Sequence, residues 1–309
     1  MSEVFSNAFL FAAVLQTTPL LLAALGGMFS QQAGVLNIAL DGMMLLGAFV
    51  SVSVGAATHN TALGVLAAMA AGVVVALIFA VTTLYLGADV VVVGIGIGTL
   101  VAGLTVLLLS VLYGNEGYYL PQHPPVLWKI HLGFLSHVWI LGPAFQGQSI
   151  LVVVAVLLIP VSWWVLYRTR YGLRVRAVGE EESAAAAAGL SPRTIKLSTV
   201  VISGALCGLA GSQLALATLG QFTANMTAGR GYLALAAIFA GRARPVGTAV
   251  ACLVFGLVST LANQLQLVHY NTDIVLMLPY VATVLVLLAR PLLHLARQRR
   301  QKRKSAFVS

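Results

Sequence analysis

This sequence predicts an all-α fold, a polytopic bundle of transmembrane helices, and three observations carry the prediction. Hydrophobic residues make up 60% of the chain and charged residues 8%, with a mean hydropathy of +0.97, whereas a soluble domain carries about 25% charged residues. Apolar runs at 8–29, 63–86, 90–113, 150–167, 197–219, 246–265 and 274–289 each approach or exceed the ~20 residues that cross the hydrocarbon core. The basic residues are also segregated. Of 17 Lys and Arg, six lie between Arg168 and Lys196 and seven between Arg290 and Lys304, which makes both stretches cytoplasmic by the positive-inside rule. No stretch of ordinary soluble composition is left over, so residues 1–309 read as a single membrane domain.

The first run, 8–29, has no basic region ahead of it and no small-residue cleavage site, and it reads as a retained helix. Gln16, Thr17, Thr18 and Pro19 interrupt it where a kink is expected. Next comes SQQAGVLNIALDGMMLLGAF, residues 30–49, with Ser30, Gln31, Gln32, Asn37 and Asp41 in an apolar setting. Non-helical backbone at membrane depth survives only under cover of protein or water. Residues 30–37 therefore predict a broken or re-entrant segment lining a cavity, with Gln31, Asn37 and Asp41 as candidate pathway residues. Asn37 and Asp41, four apart, share a face if the chain is helical from Ile38. A carboxylate facing lipid at the bilayer centre costs roughly 3 kcal/mol, so Asp41 needs a partner or a wet position. The other reading puts Asp41 at the cytoplasmic interface, where it begins a helix and suits the positive end of its dipole.

GIGIG, residues 94–98, lacks the Lys and Ser or Thr of a phosphate loop, and its small residues serve close helix approach. Residues 114–149, with one Lys and three His, fall outside the cell, and the histidines have no metal-ligand spacing. Counting spans outward from that loop places the N-terminus outside and the C-terminus in the cytoplasm. In the second half a helix ends near Leu219, QFTANMTAGRG follows, and YLALAAIFAG resumes. This repeats the helix, polar break and glycine-containing helix of the first half in the opposite orientation. The pattern predicts inverted repeats, about 8–113 and about 196–289, with the pathway between them. Asn225, Arg230 and Tyr232 are the candidate pathway residues of the second half. Cys207 and Cys252 lie in apolar runs and behave as small hydrophobes. The tail 290–309, with RQRRQKRK at 297–304, follows a membrane helix directly and reads as an anchor to anionic lipid rather than a nucleic-acid arm.

AALGGMFSQQAGVLNIALDGMMLLGAF and TAGRGYLALAAIFAGRARPVGTAVACLVFG resemble the two signatures of permease subunits of ABC importers for branched-chain amino acids, simple sugars and nucleosides. The first is most similar to the nucleoside or purine branch, which works with a basic-membrane-protein-type lipoprotein. Residues 167–196 resemble the coupling loop of such permeases. Ser183, Ala184, Ala185 and Gly189 stand at the Glu-Ala-Ala and Gly positions, Glu180 precedes them and Pro192 follows. Ser183 replaces the expected Glu, which leaves Glu180, Glu181 and Glu182 as the nearby acids. The resemblance implies a bacterial or archaeal inner-membrane permease. Its implied partners are a second, heterologous permease, two ATPase subunits and an extracytoplasmic solute-binding lipoprotein. ATP and Mg would belong to the ATPase, and this chain would bind no cofactor and catalyse nothing, as the lack of any GxxxxGK[ST] or nucleophile–base set agrees. A proton-coupled secondary transporter with Asp41 as proton carrier explains inverted halves equally well but leaves the Ala-rich cytoplasmic loop without a role.

Overall fold

A computed structural model describes residues 7–130, 147–218, 220–267 and 281. Among the described residues seven helices are long and apolar enough to cross a membrane. In chain order they are α1 (Asn7–Gln32), α2 (Leu40–Ala57), α3 (Thr61–Ala80, prolonged by a π turn over Val81–Tyr85), α4 (Val90–Tyr113), α5 (Ile150–Arg168), α8 (Pro192–Leu216) and α10 (Pro245–Leu267). Between them come the short α6 (Arg170–Glu180), α7 (Glu182–Ala187) and α9 (Arg230–Ala240). The expected run at 274–289 and the tail lie outside the described residues, Val281 apart.

Local chemistry sets several helix ends. Asn60 accepts hydrogen bonds from the Ala62 and Leu63 amides to start α3, and Asp89 accepts from Val91 and Val92 to start α4, satisfying amides that have no partner in the first turn. Pro192 opens α8 at a position where its missing N–H costs nothing. The break after α1 falls later than the sequence suggests. Ser30, Gln31 and Gln32 are helical, and Ser30 donates its hydroxyl to the Gly27 carbonyl. The turn then closes on Gly34 at φ 79°, with Gly34 N–H donating to Gln31 O and Val35 N–H to Ser30 O. This Schellman geometry selects glycine at the left-handed position. Pro19 does not break α1, and the adjacent Thr17 and Thr18 hydroxyls donate to the Ala13 and Val14 carbonyls. The π turn after α3 begins where Thr82 and Thr83 hydroxyls take the Ile78 and Phe79 carbonyls, opening the turn locally.

Helix α8 is the centre of the bundle and packs on α1, α2 and α3. Glycines permit this. A Cβ on Gly204 would lie 2.5 Å from the Gly72 carbonyl oxygen, one on Gly208 2.1 Å from the Ala68 oxygen, and one on Gly211 2.1 Å from the Met44 oxygen. The three glycines stand at i, i+4 and i+7, one face of a helix, and with no hydrophobic drive between helices in lipid this backbone proximity is what yields packing energy. Gly94 of GIGIG serves the same purpose, since its Cβ would sit 2.6 Å from Ile38 Cβ. At the end of the bundle opposite α6 and α7, β1 (Tyr118–Tyr119) pairs antiparallel with β4 (Phe222–Thr223), and β2 (Lys129–Ile130) with β3 (Gln148–Ser149). Phe222 is fully buried and meets Phe49 edge-on at 5.3 Å.

Candidate functional site

The two polar breaks predicted from sequence come together between α1, α2, α8 and α9. Asp41, in the first turn of α2, accepts hydrogen bonds at Oδ1 from the Gly231 amide at 2.9 Å and at Oδ2 from the Thr227 hydroxyl at 3.1 Å. Gly231 is in the first turn of α9, which Gly229 precedes in the left-handed conformation with no capping side chain of its own. A carboxylate from 190 residues away in the chain thus supplies the cap that α9 lacks and the negative charge its dipole favours. The close fit needs Gly231: a Cβ there would lie 2.4 Å from Asp41 Cα.

Arg230 reaches the other way. Its guanidinium donates to the Met226 and Thr227 carbonyls and, at 3.3 Å, to Gln16 Oε1 on α1. Asn37 is 1% exposed. Its Nδ2 donates to Ser203 Oγ of α8 at 3.0 Å and more weakly to Met43 Sδ, while Oδ1 accepts from the Ala39 amide. Gln32 Nε2 donates to the Ala243 carbonyl at 2.7 Å, beyond the end of α9. Asp41, Gln16, Asn37 and Gln32 therefore each tie the first half of the chain to the second. Asn225, exposed at φ 54°, and Tyr232, 41% exposed with its hydroxyl against Gly98, are the two predicted residues with the most open surface. Gln31 is drawn into a separate polar cavity of about 300 Å3, with Arg176 and Glu180 of α6 and Arg242, where its Oε1 is buried without a hydrogen-bond partner among the described residues. Gln16, Ser203 and Thr227 were not singled out as site residues from sequence. Thr227 sits in the quoted QFTANMTAGRG and Gln16 in the polar cluster that interrupts the first apolar run, read there as a kink rather than a site, whereas Ser203 carries no local signal.

The predicted coupling residues form a compact unit at one end of the bundle, between α5 and α8. Helix α6 buries Gly172, Val175 and Val178, and Gly179 lies against the Gln32 carbonyl, where a Cβ would be 2.0 Å away. Helix α7 leaves Ser183 and Ala184 exposed and buries Ala185. It ends in a second Schellman turn: Gly189, at φ 81°, donates to Ala186 O, and Leu190 donates to Ala185 O. Lys196 pairs with Glu182. Ser183 donates to Glu181 Oε1 at 2.6 Å, and that hydrogen bond holds the exposed Glu181 carboxyl below its ordinary pKa. Glu181, Ser183, Leu190 and Pro192 line an open cleft of about 620 Å3.

Comparison with known proteins places this helical bundle in a family. The family model described as the permease component of branched-chain amino acid transport systems matches residues 9–287. The chain belongs to that ABC permease family. It is 35% identical over 289 residues to the guanosine ABC transporter permease protein NupQ of Bacillus subtilis and 33% identical over 289 residues to the nucleoside ABC transporter permease protein NupC of Lactococcus lactis, covering 89% of both chains in each case. To the putative glucose ABC transporter permease protein TsgC13 of Haloferax volcanii it is 34% identical over 269 residues, 87% of this chain and 81% of the relative. No solved structure gives a significant match. As a permease subunit the chain is not itself catalytic. Membership sets it among ATP-driven importers rather than proton-coupled carriers.

Proposed function

We propose that this chain forms part of the translocation pathway of an importer for nucleosides or purines. The similarity to guanosine and nucleoside permeases over nearly the whole chain carries that reading. The glucose permease at comparable identity supports simple sugars as the second reading. On this proposal α1–α4 and the part from α8 onward are inverted halves. Each starts with a long helix, α1 or α8, breaks in a segment with left-handed backbone at Gly34 or at Asn225, Ala228 and Gly229, and resumes in α2 or α9. Solute passes beside the junction of those breaks, in reach of Asp41, Asn225, Arg230 and Tyr232, and then by the polar cavity that holds Gln31, while Asn37 holds the loop from behind.

Helix α7 and its cleft, with Glu180, Ser183, Ala184, Ala185, Gly189 and Pro192, dock an ATPase subunit. The support is geometric: a capped helix with an exposed Ala face is carried on α6, and α6 rests on the end of α1. A push on α7 reaches α1 through Gly179 and reaches α9 through Gln32 and Ala243. ATP binding and hydrolysis on the partner then bias the permease only as far as the two nucleotide states contact α7 differently. The complete importer contains a second permease, two ATPases and an extracytoplasmic binding lipoprotein in a bacterial or archaeal cell membrane. Reconstitution of the complex in proteoliposomes tests the solute. ATP-dependent uptake of nucleosides, with simple sugars and branched-chain amino acids left behind, is the expected result. Sugar uptake without nucleoside uptake would transfer the assignment to the second reading.

A further inference from the structure

Two cavities meet at Val246. One, of about 490 Å3, opens at the α6 and α7 end of the bundle and is lined by Trp163 and Tyr167 of α5 together with Arg244, Pro245, Val246 and Gly247. Its aromatic rings carry further cations: the Arg168 guanidinium lies 5.8 Å from the centre of the Trp163 ring and the Arg176 guanidinium 4.9 Å from that of Tyr167. Among the described residues no acidic side chain lines this cavity. The other is an apolar groove of about 480 Å3 between α1, α5 and α10, walled by Val14, Leu21, Val156, Ile159, Val250 and Leu253. Among the described lining residues the only hydroxyls, on Thr17 and Thr18, donate to carbonyls of their own helix. Along α10 it runs from Val246 to Leu257, about 16 Å at 1.5 Å per residue. That is about the depth of one leaflet in a core ~30 Å thick.

A basic mouth rimmed by Trp and Tyr, adjoining at Val246 a dry slot one leaflet deep, matches an amphiphile with an anionic head and an acyl tail. Trp and Tyr mark the interface level, and basic pockets between helices at the cytoplasmic side suit anionic head groups. We propose that this is a binding site for one anionic phospholipid, with its phosphate on Arg244 and one acyl chain in the α1–α5–α10 groove. The apolar run at 274–289 contains no acidic residue to offer the exposed Arg244, whereas an anionic head group brings the opposite charge, so charge complementarity favours the lipid as occupant.

Native mass spectrometry of the full-length, delipidated chain, titrated with phosphatidylglycerol or phosphatidylcholine of identical acyl chains, tests the site. Wild type is expected to retain one phosphatidylglycerol with about fivefold or greater preference, the increment that one basic residue near a membrane surface supplies. Arg244→Gln, an exposed change, should remove that preference and leave phosphatidylcholine binding as it was. Val250→Trp should fill the groove and weaken both lipids about tenfold or more. Absence of preference in wild type, a preference kept in Arg244→Gln, or wild-type binding of both lipids in Val250→Trp overturns the proposal. So does efficient disulfide formation between V250C and L285C in a background without Cys207 and Cys252, which would show that the chain's own apolar run fills the groove.

Discussion

At the scale of single residues, Asp41 shows how a membrane protein keeps a carboxylate: both its oxygens are occupied, and both partners come from the far half of the chain. Asp41→Ala leaves the Gly231 amide and the buried Thr227 hydroxyl without acceptors, and each orphaned group costs about 1–3 kcal/mol. The variant is expected to unfold at lower temperature in detergent than wild type, read by the loss of monodisperse protein on gel filtration after heating. Asp41→Asn keeps an acceptor for Gly231 and presents an amide that can donate to the Thr227 oxygen, so its melting point should lie near wild type. ATP-driven uptake should persist in Asp41→Asn, weakened at most, and should need no proton gradient. Uptake driven by a gradient in the absence of ATP, lost in this variant, would contradict the role given to Asp41. The need for a partner was legible in the sequence, because an acid inside an apolar run demands one. The partner was not, since Thr227 and Gly231 lie 186 and 190 residues away and a single sequence carries no signal of that pairing.

At the scale of elements, the helices were the most legible part. The runs at 90–113 and 150–167 match α4 and α5 to within a residue, because length and apolarity decide a span. Ends set by hydroxyls and left-handed turns were less legible: α1 outlasts its predicted end, and α3 opens into a π turn before Leu86. The role of α8 was hidden as well, since its glycine face reads as ordinary composition until α2 and α3 are laid against it. Gly208→Val forces a side chain into the Ala68 carbonyl and should cost at least the ~1–3 kcal/mol typical of overpacking, whereas Gly96→Ala on α4, which has nothing within 4 Å, should be neutral. Thermal stability of the two variants side by side checks this. A different failure is expected at Gly189. Space is open around it, so Gly189→Ala meets only the ~1–2 kcal/mol cost of a left-handed L-residue. It should lower ATP-coupled uptake while sparing thermal stability of the bundle, and an unchanged coupling ratio of uptake to ATP hydrolysis would remove α7 as the coupling element.

At the scale of the whole molecule, the distribution of charge gives a test of orientation independent of any family. Arg168, Arg170, Arg174, Arg176, Arg193 and Lys196 lie on or beside α6, α7 and the start of α8, and Arg242 and Arg244 join them through the contact of Gln32 with Ala243. The opposite end, where the two short β ladders pair, has Lys129 alone among the described basic residues, and Arg230 is held between the halves. Such an asymmetry orients helices with the basic end in the cytoplasm. The sequence argument used only 168–196 and the C-terminal tail. The fold adds two arginines to the same end, from a loop whose side was not evident until α9 proved to be 11 residues long, about half the length of a span. Single cysteines at Ser191 and Ser183 in intact cells, in a background lacking Cys207 and Cys252, should resist a membrane-impermeant thiol reagent and react only after permeabilisation. A cysteine at Gln122, exposed beside the β ladders, should react at once. Labelling of the 183 and 191 positions from outside would invert the molecule, put α7 out of reach of ATP, and exclude the docking of an ATPase at that helix.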